Sequence, residues 1–264
     1  MQKIFFAISR RTYSFHTFLF CLAMLLSITS CKKEAKLPST AALNIINAVV
    51  GTSELATNFK GTDSIGYYLA ARLPYKSSDD RNFFRSYTGK QRLGLFNIPD
   101  TTNKSAPLFD LTLDLPIGSI TSLYLTGTVS SPDMLLVKDT LPEILLTDST
   151  MGIRFVNLSQ GSGPISVNII DKANGSEISN LKYKDISRFK FYPVGFTMNN
   201  YVFEFRDAAS GALIASYTTE NLSDPGAGYA NMWIYRWFTM ALVGKPGGTG
   251  ADSQSILLIN YNWK

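Results

Sequence analysis

Three aromatic side chains, Trp233, Tyr235 and Trp237, recur at every second position within the stretch 229–242. Read as a β-strand, that spacing puts all three rings on one face, because successive side chains of a strand point to opposite faces. Met232, Ile234 and Phe238 then share the other face with Arg236 and suit a core. Exposed rings spaced roughly 6.5–7 Å along a strand could stack on the apolar faces of sugars or dock a protein partner. Covered by a loop or by the N-terminal half of the chain, the same three rings would be ordinary core.

Other residues with chemical capacity carry less. The run Gly244-Lys245-Pro246-Gly247-Gly248-Thr249-Gly250 lacks the order of a phosphate loop, in which Gly-Lys-Ser/Thr opens a helix. An apolar strand is expected after it, so it reads as a hairpin loop. Asp79 and Asp80, with Ser77, Ser78 and Asn82, offer oxygen ligands for Ca²⁺ but not the spacing of an EF-hand, and read as a solvated loop. Glutamates stand at 34, 54, 143, 177, 204 and 220, and no spacing sets two of them across a cleft as glycoside hydrolysis requires. No catalytic residues, metal ligands or cofactors are expected.

The first thirty residues carry an address. Lys3, Arg10 and Arg11 precede an apolar stretch, 15–28, that His16 and Thr17 interrupt. It is too short for a membrane span, which needs about 20 apolar residues, and it fits a secretory signal. Ile28-Thr29-Ser30-Cys31 follows, and an aliphatic residue, two small residues and Cys resembles the bacterial lipobox. In lipobox proteins the thiol takes diacylglycerol, the chain is cut before it, and the new amine is acylated. That resemblance implies a signal peptide at 1–30, lipidation at Cys31 and a tether at 31–40 that joins the protein to a membrane. Lys33-Glu34 also resembles the Lys-plus-acid surface-export signals of Bacteroidota lipoproteins.

Cleavage there would remove Cys21 and His16, the one histidine of the chain. The remainder could build no internal disulfide, no Ser-His-Asp or Cys-His site, no zinc site with His or Cys ligands and no histidine switch. Taking Lys3, Arg10 and Arg11 from 25 basic residues leaves 22 against 20 acidic ones, so a net charge of +5 becomes +2. That balance argues against a nucleic-acid partner.

Hydrophobic residues make up 45% and charged residues 17% of the chain, an ordinary globular composition. Short apolar runs alternate with turn signals and no helical stripe stands out. Strands are expected at 41–49, 65–72, 91–96, 108–113, 120–126, 134–137, 152–158, 165–171, 200–206, 212–217, 229–242 and 255–261. The two halves also match. Leu43–Ala48 aligns with Ile153–Leu158, Leu73-Pro74-Tyr75-Lys76 with Leu181-Lys182-Tyr183-Lys184, Gly89 with Gly195, and Leu123-Tyr124-Leu125 with Met232-Trp233-Ile234. Offsets this constant indicate duplication. The expectation is an all-β chain of two tandem antiparallel, Ig-like β-sandwich domains, at 41–148 and 151–264.

These blocks resemble a family of Bacteroidota-type envelope lipoproteins built from tandem Ig-like domains of unknown function. The likeness rests on Ile153-Arg154-Phe155-Val156-Asn157-Leu158-Ser159, its counterpart at 43–48, the two glycines and the strands at Leu123 and Met232. The first half departs from it with Asn44 where the second has Arg154, and with a longer polar insert at 76–81. The resemblance implies a lipid-anchored outer-membrane protein at the cell surface, with the periplasmic face as the other possibility. The expected role is binding without catalysis, with a glycan or an envelope protein as partner and Trp233, Tyr235 and Trp237 as binding residues. The alternative is an architectural subunit or spacer of an envelope uptake or adhesion complex.

Overall fold

A computed structural model describes residues 39–61, 65–100, 102, 104–224 and 231–261. The expected signal peptide, Cys31 and most of the tether lie outside the described residues. The described residues form sixteen strands, with short 3-10 turns at Asp80–Asn82 and Gly250–Asp252. The first half holds β1 Thr40–Asn47, β2 Glu54–Asn58, β3 Arg72–Pro74, β4 Phe83–Tyr87, β5 Gly89–Ile98, β6 Phe109–Leu115, β7 Ile120–Thr128 and β8 Ser131–Asp139. The second holds β9 Thr150–Asn157, β10 Ile165–Ile169, β11 Ile178–Leu181, β12 Lys190–Pro193, β13 Val202–Asp207, β14 Leu213–Thr218, β15 Trp237–Val243 and β16 Ser255–Asn260.

The strands make four sheets, ordered β4-β1-β7-β8, β3-β2-β5-β6, β12-β9-β15-β16 and β11-β10-β13-β14. The third and fourth orders repeat the first and second with every strand number raised by eight. Even the exceptional parallel pairs recur, β1 with β7 and β9 with β15. The fold is thus all-β, in two sandwich-like units. Leu43, Ile45, Leu55, Leu95 and Leu123 fill the first, and Ile153, Phe155, Val167, Phe203, Phe205 and Met240 the second.

The other faces of β1 and β9 are buried too. Ile46, Ala48 and Tyr124 meet Val156, Leu158, Ala241, Val243 and Ile259 in a third apolar cluster between the two sandwiches. That explains why apolar residues of β1 and β9 fall on both faces, broken only by Asn44 and Arg154, since strands covered on both faces lose their alternation. Residues 39–264 accordingly form a single compact unit.

The repeated motifs have a structural job. Asn47 Nδ2 donates to Thr52 Oγ1 and to the Leu73 carbonyl, while its Oδ1 accepts from the Val49 amide. Asn157 does the same with Ser162 Oγ, the Leu181 carbonyl and the Ser159 amide. Lys76 and Lys184 then turn the chain at φ 54° and 65°, each giving its amide to the carbonyl of the same Asn. Asn157→Ala would leave buried backbone groups unpaired. A loss of about 1–3 kcal/mol is expected, read by urea unfolding, and Asn47→Ala should cost about the same.

Several sequence expectations are corrected. The stretch 65–71 is turn, bend and irregular chain, with strand only from Arg72, and β2, β4, β11 and β12 are additional strands of four or five residues. Leu123 pairs with Ile45 and Met240 with Phe155, so the structural counterpart of Leu123 is Met240 rather than Met232. Gly89 opens β5, whereas Gly195 lies ahead of β13 in a separate turn.

Candidate functional site

The expected strand at 229–242 begins only at Trp237, and the described part before it, 231–236, is a turn. Asn231 is the cause. Its Oδ1 accepts from the amides of Trp233 and Ile234, which draws the chain into a local turn. Tyr235 follows in the left-handed region, at φ 58°. The three aromatics therefore do not share a strand face. Trp233 is 1% exposed, packs on Phe238 at 4.8 Å and donates Nε1–H to the Glu220 carbonyl. Tyr235 donates its hydroxyl to the Leu146 carbonyl, and half-buried Trp237 donates Nε1–H to the Pro142 carbonyl. Each ring is a fastening of the joint or core, and no common platform exists.

A buried cluster of ionisable groups lies between the sandwiches. Arg154 of β9 reaches across to Asp139 of β8. Its Nε donates to Thr239 Oγ1 at 2.9 Å and its Nη2 to Tyr124 Oη at 3.2 Å. Ser122 Oγ donates to Asp139 Oδ2 at 2.6 Å, and Tyr261 Oη stands 3.1 Å from both Tyr124 Oη and Thr239 Oγ1. The guanidinium lies 4.8 Å from the Phe189 ring centroid. Burial pushes the Tyr261 phenol well above its ordinary value, so it stays protonated. Arg154, Asp139, Tyr124 and Tyr261 are all buried, so no substrate reaches them. The cluster is a polar lock. Reciprocal contacts flank it: Lys76 reaches the Ser253 carbonyl from the first half, and Lys184 Nζ reaches Asp133 Oδ1 from the second at 2.8 Å.

An accessible polar site lies on the outward face of the β10–β13 sheet, away from the joint. Phe203 and Phe205 point into the core, which turns Glu204 and Arg206 outward. Asn168 stands directly opposite Glu204 in the β10–β13 register. Together with Ile170, Asp171, Lys172, Asn174 and Gly211 these residues line a groove of about 350 Å³. Asn168 Nδ2 donates to Glu204 Oε2 at 2.8 Å, and Arg206 Nη2 donates to the same oxygen at 3.0 Å. These hydrogen bonds, the Asn168 amide foremost, hold the Glu204 carboxyl below its usual range. Asn168 Oδ1 is buried and has no partner. Ser166 Oγ fixes the wall by donating to Asn174 Oδ1 at 3.0 Å. Sequence reasoning missed this site; the alternation in Val202-Phe203-Glu204-Phe205-Arg206 is a signal that could have found the outward pair, whereas its partner Asn168 came only with the register.

The groove presents acceptors (Glu204, Asp171) beside donors (Arg206, Lys172, Asn174). Hydroxyl groups both donate and accept, so such mixed lining suits a polyhydroxylated ligand. A second cavity of about 210 Å³, lined by Phe59, Phe84, Arg85, Ser86 and Gln91, is smaller and more apolar. Among the described residues, no three His, Cys, Asp or Glu side chains gather as a metal would need, and no helix is long and apolar enough to cross a membrane.

No protein-family model matches the chain, and no curated protein matches it. Among solved structures, a candidate adhesin from Bacteroides ovatus is similar at 10% identity and TM-score 0.23, over 88% of this chain and 96% of that one. A streptococcal virulence factor described for alpha-glucan binding is similar at 9% identity and TM-score 0.24, over 77% of this chain and 93% of that one.

Proposed function

We propose that the protein is a lipid-anchored module of the outer membrane that binds a hydroxyl-rich ligand, a glycan, in the groove over Asn168, Glu204 and Arg206. The supporting observation is that the Glu204–Arg206 ion pair and Asn168, whose buried Oδ1 has no partner, line one groove. Hydrogen bonding, rather than aromatic stacking, then carries recognition. Binding without catalysis fits the same site, because a glycosidase needs a carboxylic acid with a raised pKa to protonate the leaving group, and Glu204 is shifted the other way. Anchoring is supported by the ordered sequence of cationic start, apolar run and Cys31.

A glycan array probed with the full mature protein tests the site. Arg206→Ala should weaken capture about tenfold or more, as expected for loss of a hydrogen bond from a charged donor. The thermal midpoint should barely move, because the partly exposed ion pair contributes little to stability. Unchanged capture by Arg206→Ala and Asn168→Ala would overturn the groove as the site. The architectural reading is favoured by one observation, the buried lock that joins the sandwiches into a stiff unit. For a spacer, the wild-type protein would capture no glycan at all.

A further inference from the structure

Five large apolar side chains stand out of the same end of the folded unit. Ile117 is 75% exposed, Leu145 53%, Leu146 80%, Phe196 74% and Met232 44%. Backbone hydrogen bonds fix their common location. The Gly118 amide, beside Ile117, donates to the Thr40 carbonyl at 3.1 Å, where β1 begins. The Val194 amide donates to the Ser149 carbonyl at 2.7 Å and the Tyr235 amide to the Thr150 carbonyl at 2.8 Å, which brings the turns of Phe196 and Met232 to the start of β9. Leu145 and Leu146 lie in the segment that enters β9, and the Trp237–Pro142 hydrogen bond ties the two sandwiches together at this end. The turns at the opposite end present Val129 and Leu213, and the β2–β3 connection carries Tyr68 at 97% and Leu69 at 87%.

Scattered apolar residues on a surface need no explanation, but grouping at one end does. This is also the end where the chain enters the fold. Nine residue steps separate Cys31 from Thr40, and nine steps span at most roughly 30 Å when fully extended. Acyl chains on Cys31 would therefore keep the Thr40 end within reach of the headgroups. We infer that this end is a membrane-contact face, with Leu146 and Phe196 as its most protruding contacts and Ile117, Leu145 and Met232 beside them. The inference rests on the anchor proposed above. It adds an orientation: the strands stand up from the bilayer, and the β10–β13 groove opens sideways into the solvent. Shallow apolar contacts of this kind supply a second attachment beside the lipid chains.

The test uses the full lipidated protein in phosphatidylethanolamine–phosphatidylglycerol vesicles. Single variants Leu146→Cys, Phe196→Cys and Ser130→Cys, the last at the opposite end, are labelled with an environment-sensitive dye. The Cys31 thiol, being acylated, does not compete for label. Dye at 146 and 196 should shift to the blue and be quenched about twofold by nitroxide-bearing lipids, with dye at 130 unaffected, as expected for side chains at the headgroup boundary. A blue shift without lipid quenching would mean that a second copy or another protein covers the face, and would overturn the inference. So would dyes at 146 and 196 that behave like the dye at 130. A fatty-acid analogue fed to the cells reads the anchor separately. If it labels wild type and not Cys31→Ala while the dyes stay solvated, the membrane face alone fails; if it labels neither, the anchor fails and takes the inference with it.

Discussion

Asp139→Ala is expected to destabilise the protein by about 3–5 kcal/mol, the cost of stripping one partner from a buried ion pair. Arg154 would then be left at 5% exposure with hydroxyl partners only. Water cannot reach the guanidinium to replace the carboxylate unless the sandwiches separate. The loss should therefore fall on the joint, and urea unfolding should broaden as the two halves lose their coupling. The double variant Asp139→Leu, Arg154→Met should recover most of the loss, because an apolar pair of similar volume removes both desolvation penalties. Urea titrations of the three proteins check this. A loss below about 1 kcal/mol for Asp139→Ala would show that the pair behaves as a solvated surface bridge.

Trp233→Ala should cost a similar amount, about 3–5 kcal/mol for a fully buried aromatic truncated in a core. The ring fills the base of the second sandwich against Phe238, and its Nε1–H holds the Glu220 carbonyl at 2.7 Å. Trp233→Phe should keep much of the packing and lose about 1 kcal/mol for the hydrogen bond. Calorimetric or urea unfolding measures both. Near-normal stability for Trp233→Ala would mean that the side chain is open to solvent. Tyr235→Ala is the internal comparison. Its hydroxyl makes one peripheral hydrogen bond to the Leu146 carbonyl, so its truncation should cost far less.

Much of the fold was legible because strand signals are local. β1, β5, β7, β9, β13 and β16 stand where runs of apolar and β-branched residues predict them. The missed strands β2, β4, β11 and β12 have four or five residues each and carry too few positions for an alternation to register. They exist because a neighbouring strand offers its hydrogen-bonding edge. The aromatic row failed for a different reason. Period-two spacing at 233, 235 and 237 is a strand signal, but a single Asn231 side chain captured two amides and redirected the backbone. Side-chain capture of backbone groups competes with the ladder wherever Asn stands next to a strand.

By itself the sequence determined the all-β class, the duplication and the position of Cys31 behind a cationic, apolar start. Each of these depends on residue order over a few neighbours or on self-similarity, and both can be read without knowing what touches what. Tertiary structure decided what long-range partners decide. It buried Trp233, set Asn168 opposite Glu204 across two strands, and brought Arg154 to Asp139 through the packing of one sandwich on the other. The Asn44 and Arg154 positions make the division plain. The duplication aligned them as equivalents, yet only the packed joint gives the arginine a carboxylate and leaves the Asn44 amide buried without a partner. Equivalent places in a repeat share their local geometry, but a buried charge is stable only where another part of the chain supplies its counter-charge.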